Sequence, residues 1–89
     1  MKHAGAAALD QLEPLLHRLR AFGALKEHAR GTFYVKSRAF LHFHEDPKGL
    51  FADLRAADGQ EFERWQVDGT QRQQAFLHAV SVRLGLGAG

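Results

Sequence analysis

His42 and His44 stand two residues apart inside the run Ala39-Phe40-Leu41-His42-Phe43-His44. On an extended strand, residues two apart project to the same side, so two imidazoles at this spacing can share one ion. A carboxylate from Asp53 or Glu45 would complete a mixed nitrogen and oxygen ligand set. The chain has six histidines, and ring packing with one hydrogen bond per imidazole is the simpler explanation of any single pair. His42, His44 and Asp53 are therefore candidate ligands, and no metal or other cofactor is assigned.

Other chemistry is sparser. The chain contains no cysteine, which removes disulfides, thiolate metal sites and thiol nucleophiles. Ser37 and Ser81 lie in no nucleophile motif, and no glycine-rich phosphate loop or dinucleotide fingerprint occurs. His42 or His44 could serve as a general base. Glu45-Asp46 could act as an acid–base pair, but acidic residues before Pro47 are more simply turn formers. The residues lean away from catalysis.

These side chains need a scaffold, and the composition supports one. An 89-residue chain with 45% apolar and 25% charged residues reads as one domain spanning residues 1–89. Its ordered core is expected over about 8–84, with the Gly/Ala-rich ends 1–7 and 85–89 fraying. No apolar stretch approaches the roughly 20 residues that span a bilayer, so no membrane association is expected. The first residues make no signal peptide, and a cytoplasmic protein is expected. Net charge is +2, but residues 1–44 carry seven Lys/Arg against three Asp/Glu and residues 45–89 five against seven. Such a split can steer a partner, although a solvated, unevenly charged surface accounts for it.

Leu9, Leu12, Leu15, Leu16, Leu19 and Phe22 recur at helical spacing and predict an amphipathic helix of some four turns. Asp10 with Glu13 resembles a capping box, and Pro14 falls just after the first turn. Residues 24–30 read as a further helical turn or a connector. From Thr32 to Val67 the period changes to that of strands, interrupted by Lys36-Ser37, Asp46-Pro47-Lys48 and Asp58-Gly59. Four strands in an antiparallel meander follow. Thr70 with Gln73 matches a capping box for a closing helix whose inward stripe includes Phe76, Ala79 and Val80. The fold class is α+β: a four-stranded antiparallel sheet with the N-terminal and C-terminal helices on one face.

Face parity then sorts the strand residues. With Phe33 opposite Leu41, Phe43 opposite Leu50 and Leu54 opposite Glu63, one face holds Phe33, Val35, Ala39, Leu41, Phe43, Leu50, Ala52, Leu54, Trp65 and Val67. The other shows Thr32, Tyr34, Phe40, His42, His44, Phe51, Asp53, Arg55, Phe62, Arg64 and Gln66. Here Tyr34 opposes Phe40, His42 opposes Phe51 and Asp53 opposes Arg64. That second face is too polar for a core and too aromatic for plain solvent. The chain's own 24–30 segment or a helix could cover it.

Three functions fit the second face. The leading one is a protein-interaction or self-associating module, a homodimer or a complex with another protein, using Tyr34, Phe40, His42, His44, Phe51, Asp53, Arg55 and Arg64. The second is a metal-dependent or histidine-based activity at His42, His44 and Asp53. The third is single-stranded nucleic-acid binding, with Tyr34, Phe40 and Phe51 stacking bases beside Lys36, Arg38, Arg55 and Arg64.

The stretches Arg30-Gly31-Thr32-Phe33-Tyr34, Ser37-Arg38-Ala39-Phe40-Leu41-His42-Phe43-His44-Glu45-Asp46 and Gly49-Leu50-Phe51-Ala52-Asp53-Leu54 resemble a group of small bacterial proteins of uncharacterised function. The resemblance would cover roughly residues 9–84 and implies no activity. The helix–meander–helix order is similar in topology to MmcQ/YjbR-like and frataxin-like proteins. Frataxin-like proteins carry an acidic iron-binding surface near the first helix. Here that helix offers Asp10 and Glu13 beside His17, Arg18 and Arg20, so the likeness implies no iron role, and fold analogy supplies no function.

Overall fold

A computed structural model describes residues 1–86. The elements in order are β1 (Lys2–His3), α1 (Ala6–Gln11), α2 (Glu13–Arg20), β2 (Leu25–Glu27), β3 (Phe33–Val35), β4 (Arg38–Asp46), β5 (Gly49–Arg55), β6 (Phe62–Gln66) and α3 (Gly69–Arg83). The architecture is α+β, with an antiparallel sheet in the order β2-β3-β4-β5-β6 and β1 added beside β4. No helix among the described residues is long and apolar enough to cross a membrane.

The expected first helix is split in two. Pro14 lacks an N–H and cannot bond back into a preceding turn. The chain restarts at Leu12, which caps α2 and puts Pro14 in the first turn, where free N–H groups are normal. Asp10 is thus inside α1 rather than a cap. Its carboxylate, with that of Glu13, accepts hydrogen bonds from Arg30 at 2.8 Å.

Residues 24–30 are neither helix nor plain connector. Leu25–Glu27 pair with Phe33–Val35 and add a fifth strand at the sheet edge. Leu25 is buried, and an ion network fastens this hairpin to α2. Arg20 donates to Glu27 at 2.6 Å and also bonds Glu13, and the Gly31 N–H donates to Glu27 at 2.9 Å. Gly31 turns the chain at φ +83°, where a Cβ would stand 2.7 Å from a Leu9 methyl. Only glycine fits that turn without strain.

Phe33 opposes Leu41 as expected, but the register then shifts. Tyr34 opposes Ala39 and Val35 opposes Arg38, which leaves Phe40 unpaired at a bulge. Across the next hairpin Phe43 opposes Ala52 rather than Leu50, because the turn is a tight one closing at Asp46 and Gly49. A slip of two preserves the side on which each residue lies. Leu54 opposite Glu63, Ala52 opposite Trp65 and Asp53 opposite Arg64 agree with expectation, with no bulge at Phe62.

The first face carries the core. Phe33, Leu41, Phe43, Ala52, Leu54 and Val67 join Leu12, Leu15, Leu16 and Leu19 of the N-terminal helical segment and Phe76 and Val80 of α3 in one buried cluster. Asp68, not Thr70, precedes α3 as its cap residue. The Asp68 carboxylate accepts the Leu50 N–H at 3.0 Å, tying the helix start to β5, while Gln73 donates to the Val67 carbonyl. Gly85 ends α3 as expected: its N–H bonds Val82 and the Leu86 N–H bonds Ser81, the two bonds of a Schellman motif. Residues 87–89 of the expected frayed tail lie outside the described residues.

Candidate functional site

The nine-residue β4 is three times as long as β3. Beyond Leu41 its β3-side edge is therefore free. The N-terminal residues, expected to fray, take that edge: His3 pairs with His44, Lys2 with Glu45, and the Ala4 N–H bonds the Phe43 carbonyl. Residues directly opposite in an antiparallel pair share a face. Pairing thus delivers a third imidazole to the side of the sheet that holds His42 and His44. The His3 ring stacks on His44 at 4.8 Å between centroids and lies 5.8 Å from His42.

The same rule brings β5 into the group. His42 opposes Asp53, rather than Phe51, and His44 opposes Phe51. His42, His44 and Asp53 each offer a ligand atom, and these atoms lie within 4.8 Å of one another. His44 Nε2 is 3.1 Å and His42 Nε2 3.5 Å from Asp53 Oδ2. Arg64, opposite Asp53 on β6, donates from Nε to Oδ1 and from Nη2 to Oδ2, both at 2.8 Å. Asp53 is the one buried charged residue among those described.

The electrostatics follow from this crowding. Burial opposes ionisation of Asp53, but the Arg64 hydrogen bonds and charge, aided by the two imidazoles, hold its carboxyl below the usual range. Burial also pushes the His42 imidazole below its ordinary value; Asp53 acts against this, while His44, His3 and Arg64 add to it. His42 is thereby biased toward the neutral form. Both ring nitrogens of His44 are buried and neither makes an aligned hydrogen bond, although Asp53 Oδ2 is near.

The remaining sequence candidates scatter. Phe40 is buried and belongs to the core cluster, because the bulge at β3 interrupts the alternation that placed it on the second face. Tyr34 is half-buried at the far side, its ring stacked on His28 at 4.1 Å. Arg55 donates to the carbonyls of Ala39 and Gly59 and lies over the Phe62 ring at 4.7 Å. Glu45 points its carboxylate at the Gly5 N–H and away from the histidines' company, leaving Asp53 as the site's carboxylate. Phe62 packs edge-on against His42 at 5.1 Å and is 37% exposed.

His3 and His28 escaped the sequence reading. His28 lies in the segment considered as a cover, but nothing in its spacing marks Tyr34 as its neighbour. His3 sits in a short polar start without strand periodicity, and only the free edge of β4 explains its place. The fold and site define a small α+β domain whose one-sided sheet carries a His–His–Asp cluster. Compared with known protein families, curated proteins and solved structures, the chain matches none.

Proposed function

We propose that this chain is a small cytoplasmic interaction domain that self-associates through its second sheet face. The observation that carries the reading is the exposure of Phe62 beside His42 and Arg55, on a sheet whose helices spend their apolar stripes on the opposite face. Aromatic rings flanked by arginine are the residue types that anchor protein contacts. The face also holds both signs of charge, Asp53 and Arg64 among them, which suits a self-complementary two-fold contact.

Base stacking draws less support. Of its three platforms Phe40 is buried and Tyr34 is covered by His28, while Arg55 is committed to carbonyls. Light scattering behind size exclusion, from about 10 μM to 1 mM, spans the range of transient to moderate contacts. The expected result is a mass that rises toward two chains, and a Phe62→Glu variant that stays at one chain with an unchanged circular dichroism spectrum. A strict monomer throughout, or a dimer that Phe62→Glu leaves intact, overturns the reading.

A further inference from the structure

We propose that His42, His44 and Asp53 form a binding site for a first-row divalent cation of the zinc type. The first support is metric. Zinc bonds of about 2.0–2.1 Å place the ligand atoms of a tetrahedral site roughly 3.3 Å apart. The Nε2 atoms of His44 and His42 stand 3.1 and 3.5 Å from Asp53 Oδ2, on either side of that value. Regular pairing of β4 with β5 brings the three ligand atoms within 4.8 Å of one another, and rotation of the imidazoles closes them to bonding distance of one ion.

The second support is an unfilled requirement. Buried ring nitrogens normally have partners, and an orphan calls for an explanation. His44 has two, and its Nε2 is next to a carboxylate oxygen without the alignment of a hydrogen bond. A cation between them satisfies Nε2, the ring nitrogen that faces Asp53. The ring of His3 lies over His44 and shields that side from water. Imidazole nitrogen with one carboxylate oxygen is a donor set that suits zinc, and also cobalt as its spectroscopic substitute.

Arg64 is the competitor. Its guanidinium occupies both oxygens of Asp53. The side chain is half exposed, at 49%, so Nη2 can leave Oδ2 for solvent while Nε keeps Oδ1. One positive charge is then replaced by another at the same oxygen. This competition gives the site a signature that a fortuitous histidine pair lacks: removing Arg64 should strengthen metal binding.

The test uses the full chain without an affinity tag, freed of metal with a chelator, titrated calorimetrically with Zn²⁺ and followed optically with Co²⁺. One ion per chain is expected, with the visible bands of tetrahedral Co²⁺. His42→Gln and His44→Gln should each weaken binding roughly 100-fold, and Arg64→Gln should tighten it several-fold. Circular dichroism checks each fold, and the exposed Arg64 variant carries the test should a histidine variant unfold. No stoichiometric binding overturns the proposal, and so does affinity that ignores both histidines or falls on removal of Arg64. Light scattering on the same samples reports self-association separately, so either proposal can fail without the other.

Discussion

The His3 ring lies stacked on the His44 ring, with centroids 4.8 Å apart and planes 26° apart. Forty-one positions separate them in sequence, and a two-residue strand pairing joins them in space. Much of the shielding of His44 thus comes from the first few residues of the chain.

Removal of residues 1–4 should therefore uncover His44 and leave the outer edge of β4 unpaired. The lost pairing and ring packing predict a destabilisation of about 1–2 kcal/mol. Urea unfolding measures it, and amide exchange at Phe43 and Glu45, the residues of β4 whose backbone groups face β1, should accelerate. An unchanged midpoint with unchanged exchange would contradict the strand pairing.

Acid should loosen the α2–β2 junction first. Hydrogen bonds from Arg20, then Arg30, lower the Glu13 carboxyl from 4.5 to about 2, and Arg20 lowers that of Glu27. Because the folded values lie below the unfolded ones, the unfolded chain binds more protons as pH falls through 4.5. The stabilisation is complete above that pH and is lost progressively toward about 2. Both groups are solvent-accessible, so salt should weaken the effect as well. Glu13→Gln should flatten the acid limb of stability against pH, measured by denaturant midpoints. A limb of unchanged steepness would remove Glu13 from the junction's energetics.

Two positions with left-handed backbone should respond in opposite directions. Gly31 has φ +83° and a crowded Cβ site, so Gly31→Ala should cost about 1–2 kcal/mol. Lys36 holds φ +56° in the β3–β4 turn despite its side chain. Lys36→Gly relieves that strain but adds flexibility to the unfolded chain, for a net gain of about 0.5 kcal/mol. Thermal melting of the two variants checks both signs.

Side-chain chemistry and period two were sufficient to read several features from the sequence. The α+β class, the sheet-face content of the core and the shared face of His42, His44 and Asp53 all follow from alternation, because a strand fixes which side each residue takes. The alternation even survived the two-residue slip between β4 and β5, since an even slip changes partners but not faces. It could not survive a bulge, and Phe40 was lost from the second face for that reason.

What the tertiary structure decided is where unused edges and faces find partners. Leu25–Glu27 is too short to announce itself as a strand, and it becomes one because β3 offers an edge and Arg20 anchors Glu27. Lys2–His3 has no periodicity at all and pairs because β4 outruns β3. Backbone hydrogen bonding is blind to side-chain pattern, so a free strand edge recruits segments that the sequence leaves unmarked. That recruitment, and not the spacing of residues, laid a third imidazole over the two that flank one buried carboxylate.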